Sequence, residues 1–141
     1  MNRTTSNSGF SLIEVVVIMA IMAIMSSIFH PNYMSWIPGI RLNGAVRQIM
    51  SDLMAARMKS IKENISISVS PVNSHSYAVT IGTQTPKLMD LMPNFPGTTV
   101  KFTPVLFTSR GSASSPRTIT IQNSAGIRTL TVAITGRVKM K

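Results

Sequence analysis

The sequence predicts an α+β protein in which a long apolar N-terminal helix precedes an antiparallel β-sheet domain. Three observations predict it. An almost wholly apolar run extends from Phe10 to Phe29. Apolar residues then recur at steps of three and four from Arg41 to about Asn64, which indicates an amphipathic helix. From Ile65 onward the period becomes two, which is typical of half-buried strands.

The apolar run is roughly 30 Å long as a helix, about the thickness of the hydrocarbon core of a membrane. One acidic residue, Glu14, interrupts it near its start. A charged side chain costs about 2.5–3.5 kcal/mol at the bilayer centre and less near the interface. A secretory signal peptide needs a basic start and a small-x-small cleavage site, but only Arg3 precedes the run and no Ala-x-Ala follows it. A plain membrane anchor explains the length and leaves Glu14 unexplained.

Two prolines follow the apolar run. Pro31 and the pair Pro38-Gly39 are helix-breaking signals. We therefore expect a kink or a short melted segment between Pro31 and Gly39. Residues 10–40 are therefore assigned to a first helix that contains this kink near its end, and residues 41–64 to a second helix.

The second helix has one apolar face for packing against the sheet, made of Leu42, Val46, Ile49, Leu53 and Ala56. Residues 65–141 are predicted to form the sheet. Its predicted strands are 65–69, 77–81, 100–107 (broken by a proline), 118–122 and 127–134, with a short last strand after residue 136. Residues 123–126 give a hairpin turn signal, and residues 83–98 are predicted to form a loop.

Charge is strongly one-sided. The chain has 14 basic and 4 acidic residues, a formal net charge of +10, and no cysteine. From Leu91 to the end there are seven basic residues and no acid. Such an excess favours a polyanion or an anionic surface as partner, although a solvated basic face gives the same composition.

Catalysis finds no support in the sequence. Its two histidines, His30 and His75, lie beside the predicted kink and in a serine-rich turn. With no cysteine and few acids, no metal-ligand spacing occurs, and no phosphate-binding or nucleophile-elbow motif is present. We expect no enzyme activity, no metal and no cofactor.

The stretch "GFSLIEVVVIMAIMAIM" resembles the class III signal of type IV prepilins and pseudopilins. The resemblance implies that residues 1–9 are a leader that prepilin peptidase removes between Gly9 and Phe10. The same enzyme then methylates the new N-terminus at Phe10, and Glu14 becomes the fifth mature residue. Residues 10–40 would first span the membrane and then form filament core, with residues 41–141 as a pilin-like domain.

This reading gives Glu14 a physical role. Cleavage leaves a positive amine on Phe10, and when helices pack side by side, the Glu14 carboxylate of one subunit can neutralise the amine of its neighbour. A buried charge is tolerated when paired and costs several kcal/mol when alone, so pairing favours assembly and fixes register.

The implied partners are other pilin subunits, prepilin peptidase, the inner-membrane assembly platform and, before assembly, membrane lipid. The implied location is the bacterial inner membrane, crossed once with the C-terminal domain in the periplasm, and the filament after assembly.

A second resemblance covers the rest of the chain. The stretch "LNGAVRQIMSDLMAARMKSIKENISISVS" is similar to the GspH/FimT family of minor pseudopilins and minor pilins. The family carries an "L..DL..AR..AI" pattern in this helix, and the residues that fit it here are Leu53, Ala56, Arg57 and Ile61. Later stretches, "F..RG", "TITI" and the terminal "GRV", resemble the same family. The implied function is a structural subunit of a type IV pilus or a type II secretion pseudopilus, with priming or capping as finer roles. The sequence leaves the choice of machine open.

The chain ends "TGRVKMK", in which Arg137, Lys139 and Lys141 alternate and would share one side of an extended strand. Closely spaced cations suit phosphates. FimT-like minor pilins of competent bacteria bind DNA through a C-terminal Gly-Arg-x-Arg motif. Gly136 and Arg137 match it, and Lys139 replaces the second arginine, which keeps the charge and loses the bidentate fork.

The resemblance therefore implies an alternative function, a DNA-binding minor pilin for natural transformation. Any binding would lack sequence preference, because aromatic residues for base stacking are few. A second source of phosphate contacts is the loop pair Arg110 and Arg117, which could meet the tail across the sheet.

Overall fold

The computed structural model describes residues 10–141, without the side chains of residues 28–33. The predicted leader, including Gly9, lies outside the described residues. The chain divides into two compact units between Trp36 and Ile37, here called unit 1 and unit 2.

One helix, α1 (Leu12–Glu63), accounts for 52 residues. It ends in a Schellman motif: Asn64 adopts a positive φ of 54°, the amide of Ile65 donates to the carbonyl of Ser60 at 3.2 Å, and the amide of Asn64 donates to Ile61 at 3.3 Å. Asparagine tolerates this left-handed conformation better than most residues. The predicted end of the helix near Asn64 is confirmed.

Helical backbone continues through Pro31 and Pro38-Gly39, so the expectation of a melted segment there is wrong. A proline removes one hydrogen bond and displaces the carbonyl four residues earlier, but the turns on either side keep their own hydrogen bonds. A kink at these residues stays a prediction.

The described part of unit 1 is a helix with an exposed apolar surface. Large apolar side chains from Phe10 to Met25 are all exposed, with Leu12 at 82% and Ile24 at 63%. Among the described residues, no helix is long and apolar enough to cross a membrane.

Unit 2 contains the last part of α1 and two four-stranded antiparallel sheets. The first sheet has the order β3-β2-β1-β5 and the second has the order β4-β6-β7-β8. The strands are β1 (Ile67–Pro71), β2 (Ser76–Ile81), β3 (Lys87–Asp90), β4 (Thr99–Lys101), β5 (Val105–Phe107), β6 (Arg117–Asn123), β7 (Gly126–Val132) and β8 (Val138–Met140).

Two sequence expectations about the sheet are corrected. Residues 83–98 were expected to form a loop, yet they contain β3, an exposed edge strand that pairs with β2. Edge strands bury little, so no alternation of apolar residues marks this one. The stretch Val100–Phe107 is two strands in different sheets, with Pro104 between them, because proline cannot continue the hydrogen-bonding ladder. The β6–β7 hairpin and the last strand are confirmed.

The core of unit 2 lies between α1 and the two sheets. The predicted helix face is buried, with Val46 and Leu53 at 0% exposure. It belongs to the same hydrophobic cluster as the largest buried side chains of the sheets, which include Phe107, Ile119 and Leu130. The amphipathic spacing in the sequence therefore predicted the packed face correctly.

One polar link joins α1 to the first sheet inside this core. The hydroxyl of Tyr77, on β2, donates to the Asp52 carboxylate on α1. Burial raises the pKa of Tyr77 well above its ordinary value, and the hydrogen bond to Asp52 and its negative charge raise it further. Tyr77 also meets Phe102 edge to face, with ring centroids 6.5 Å apart.

Candidate assembly site and basic surface

The start of α1 places Glu14 where a carboxylate is favoured. Ser11 precedes the helix, and its carbonyl accepts the amides of Glu14 at 3.0 Å and Val15 at 3.3 Å. The spacing Ser11-x-x-Glu14 is that of a capping box, and a negative charge in the first turn also complements the helix dipole. This favourable position in the first turn of α1 was missed from the sequence, although Ser-x-x-Glu is a signal for the start of a helix.

Glu14 is exposed and carries its charge without a partner in the described chain. Within residues 10–141, side chains 28–33 aside, the one ion pair joins Lys59 Nζ to Glu63 Oε1 at 3.6 Å. Phe10, the predicted first mature residue, is 79% exposed. The Glu14 and Phe10 side chains are therefore both exposed in the described part of the chain.

The basic tail is an ordered edge strand. Val138 of β8 is buried, whereas Arg137 and Lys139 on either side of it are exposed. Lys139 lies opposite Thr131 of β7, and the amide of Lys141 donates to the carbonyl of Thr129 at 2.9 Å. Strand geometry therefore places Arg137 and Lys139 on the outer face of the second sheet.

The same outer face reaches the opposite edge of the sheet. Thr120 pairs with Lys101 of β4 on one side and with Thr129 of β7 on the other. Residues directly opposite on antiparallel strands share a face. The result is a surface of threonines bounded by lysines, built entirely from the part of the sequence that lacks acids.

The structure brings Arg110 to the tail and places Arg117 on the other face of the sheet. Gly111 contacts Gly136 through its carbonyl, so the adjacent residues Arg110 and Arg137 lie at the same end of the sheet. Arg117 is opposite the buried Val132, on the core-facing side of β6, and its Nε donates to the carbonyl of Pro104 at 3.3 Å. Arg117 therefore lies on the opposite face of the sheet from Lys139, and its contact with the tail stays a prediction.

A three-residue contact, here called the arginine clamp, joins α1 to two glycine turns. Arg57 Nε donates to the carbonyl of Gly111 at 2.9 Å. Gly111 and Gly136 both have a φ of +75°, and a Cβ on Gly136 would collide with the Gly111 carbonyl and lie 2.7 Å from Arg57 Nε. Gly136, which the sequence suggested as part of a DNA motif, thus has a structural role that sequence reasoning missed.

The described side chains contain no group of three histidines, cysteines or acids that could hold a metal ion.

Two family models match the chain. The model described as "Type II transport protein GspH" matches residues 45–136, which is more than half of the chain. The chain belongs to the GspH family. The model of the prokaryotic N-terminal methylation motif matches residues 4–29. No curated protein sequence matches significantly.

Two crystal structures share the fold of this GspH family member. Both are of the type IV minor pilin FimU from Pseudomonas aeruginosa (strain PAO1), in space groups P21 and P65. The first has a TM-score of 0.60 at 19% identity and covers 71% of this chain and 87% of that chain. The second has a TM-score of 0.59 at 20% identity and covers 71% and 92%.

These findings confirm the predicted α+β pilin fold and the predicted GspH family, and the methylation-motif match agrees with the predicted N-terminal signal. The GspH match includes all three residues of the arginine clamp and ends at Gly136. The tail cations, Arg137 and Lys139, lie beyond it. The clamp therefore belongs to the part of the chain that carries the family likeness, and the cations do not.

Proposed function

We propose that this GspH family member is anchored in the bacterial inner membrane through residues 10–40 and then joins a filament as a structural subunit. Prepilin peptidase would first cut between Gly9 and Phe10 and methylate Phe10. The methylation-motif match over residues 4–29 supports this processing. The C-terminal domain would lie in the periplasm before assembly, in contact with the assembly platform of the membrane.

The observation that carries the proposal is the exposed apolar segment that contains Glu14 near its start. The large apolar side chains between Leu12 and Met25 are exposed in the part of the chain that the structure describes, and burying apolar surface yields about 25 cal/mol per Å². Neighbouring pilin helices supply such a surface. The unpaired Glu14 carboxylate then has the amine of a neighbouring Phe10 as its partner, because an unpaired buried charge costs several kcal/mol.

Replacement of Glu14 tests the proposal. Glu14→Ala should leave membrane insertion intact or improve it, since a costly charge is removed, and should lower the amount of subunit in sheared filaments. Glu63→Ala is the matched control, because Glu63 is an exposed acid on the same helix, paired only with Lys59. Normal filament incorporation of Glu14→Ala would refute charge pairing as the recruiting interaction.

The choice of machine is tested by deletion. The GspH match favours a type II secretion pseudopilus, and the fold shared with FimU favours a type IV pilus. Loss of secreted proteins on deletion supports the first, and loss of surface pili supports the second. A priming subunit would change the number of filaments, whereas a capping subunit would change their length.

The second candidate function is DNA binding during natural transformation. It is favoured by the acid-free outer face of the second sheet, where Arg137, Lys139 and Lys101 are exposed and Arg110 lies at the Arg137 end. Such a face suits a phosphate backbone without base readout.

A salt series separates this function from a purely structural one. The full chain in mild detergent should bind duplex DNA weakly, and Arg137→Ala with Lys139→Ala should reduce the log–log salt slope by about 1.8 units, two phosphate contacts. Lys62→Ala with Lys87→Ala removes two exposed charges elsewhere and serves as the control. An unchanged slope in the tail variant would exclude the tail as the site, and no binding by the parent at low salt would exclude the function.

A further inference from the structure

Unit 2 has a pocket lined by three cations that the sequence analysis did not bring together. Asn43 and Arg47 of α1, Arg128 of β7, and Met140 and Lys141 at the end of β8 line it, and its volume is about 390 Å³. None of these five residues is acidic. This set is called the cationic pocket below.

The core of unit 2 fixes the backbone around the cationic pocket. Arg47 follows the fully buried Val46 on α1. Arg128 is opposite the buried Ile121, and Met140 is opposite the buried Leu130. The three cations are far apart in the sequence, and they converge because α1 packs against β7 and β8.

No described ion pair neutralises the positive charge of the pocket. Within residues 10–141, side chains 28–33 aside, the ion pair is Lys59–Glu63, which includes none of Arg47, Arg128 and Lys141. If Lys141 also carries a main-chain carboxylate, the three cations of the pocket still outnumber that one negative charge. Arginine side chains present paired N–H donors that match phosphate oxygens, and the amide of Asn43 adds further donors.

Exposed apolar side chains near the pocket indicate where its anion comes from. Asn123 Nδ2 donates to the Pro38 carbonyl at 2.7 Å, which ties the β6–β7 turn to the start of unit 2. Ile40, Ile127 and Met140, all near this end of the unit, are 68%, 55% and 56% exposed. Apolar residues beside cations are the pattern of a surface at a membrane interface. Free phosphate provides no apolar partner, and a DNA backbone bound without base readout presents mainly charged oxygens.

We propose that the cationic pocket binds the phosphate of an anionic phospholipid in the membrane that holds the subunit before assembly. The proposal rests on the membrane anchoring in the proposed function, and it adds a lipid class and a binding site. The end of unit 2 that carries Pro38 and the β6–β7 turn contacts the headgroups, where Ile40 and Ile127 reach the apolar layer. Anionic lipid thereby retains the waiting subunit, and incorporation into the filament releases the lipid.

Direct lipid binding to the full chain in mild detergent tests the proposal. Short-chain phosphatidylglycerol should bind saturably and phosphatidylcholine of the same chain length more weakly. A cation near an anionic lipid surface contributes about a fivefold change in affinity, so Arg47→Gln with Arg128→Gln should weaken phosphatidylglycerol binding roughly 25-fold. The control variant, Lys62→Gln with Lys87→Gln, has the same net charge and should bind as the parent does.

Each other outcome overturns the lipid site. Equal affinity for the two lipids, or an unchanged affinity in the Arg47 and Arg128 variant, shows that the pocket does not select the headgroup. Competition by inorganic phosphate as strong as by the lipid shows a phosphate site without a lipid source, and competition by duplex DNA at lower concentration shows a nucleic-acid site. Hydrogen exchange of β7 and β8 confirms that the variants are folded.

Reconstitution into nanodiscs separates this inference from the function on which it rests. The parent and both variants should insert into discs of phosphatidylcholine alone, because anchoring depends on the apolar segment. Failure of the parent to insert refutes the anchoring. Insertion without lipid selectivity refutes only the pocket.

Discussion

Gly136 occupies a position whose backbone and surroundings both exclude a side chain. Its φ is +75°, and an added Cβ would overlap the carbonyl of Gly111 and press on Arg57 Nε at 2.7 Å. Its amide donates to the carbonyl of Ala133 at 2.8 Å. Gly136→Ala should therefore destabilise the arginine clamp and the start of β8.

Three effects set the expected change in the free energy of unfolding for Gly136→Ala. A left-handed conformation costs an alanine about 1–2 kcal/mol, and overpacking against a fixed carbonyl costs about 1–3 kcal/mol. Alanine also restricts the unfolded chain, which returns about 0.4–1 kcal/mol. The free energy of unfolding should thus fall by roughly 2–4 kcal/mol.

Gly82→Ala is the matched control. Gly82 also has a positive φ, +53°, but no atom lies within 4 Å of an added Cβ. Only the conformational cost applies there, so the loss should be about 1 kcal/mol. Urea unfolding of the full chain in mild detergent, followed by hydrogen exchange of the sheet amides, measures both variants. If Gly136→Ala destabilises no more than Gly82→Ala, the clamp does not constrain Gly136, and its place in the tail needs a different explanation.

Three further predictions follow from the core and the N-terminus. Because the pKa of Tyr77 is raised in the folded state, the contribution of this pKa shift to the free energy of unfolding is complete below about pH 10 and declines above it, by up to about 1.4 kcal/mol per pH unit. Unfolding at each pH measures the decline, and tyrosinate absorbance in a Tyr33→Phe background measures the titration of Tyr77. Titration of Tyr77 near pH 10 would contradict the prediction. Tyr77→Phe should remove the decline at alkaline pH and lower the free energy of unfolding by about 1.5 kcal/mol at neutral pH, because Asp52 loses its donor while keeping partial access to water. An unchanged unfolding midpoint would show that the hydrogen bond contributes nothing to stability. Intact-mass analysis of the membrane fraction should show a chain that starts at methylated Phe10, and a chain that keeps Met1 would exclude processing at that site.

Features that depend on local periodicity could be predicted from the amino-acid sequence alone. The spacing of Leu42, Val46 and Leu53 specified the buried face of α1, since residues three and four apart on a helix share a side. Alternation around Ile67 and Ile119 specified strands in the same way. The apolar run with Glu14 identified the N-terminal motif, and the family matches confirmed it.

Some local signals were present and misjudged. Helical backbone continues through Pro31 and Pro38 because neighbouring turns keep their hydrogen bonds. The β3 strand, Lys87–Asp90, gave no alternating pattern because it is an exposed edge held by main-chain pairing with β2. Propensity predicts poorly where burial is slight.

Contacts between residues that are distant in the sequence depend on how the helix and the sheets pack. Strand register put Arg117 on the core-facing side of its sheet and left Lys139 on the outer face. Close approach of two turns gave Gly136 its structural role beside Arg57, and packing of α1 on β7 and β8 brought Arg47 to Arg128. These contacts depend on how the helix and the two sheets fit together around one core. Local spacing contains no record of that fit, because the same periodicities are compatible with many packing arrangements.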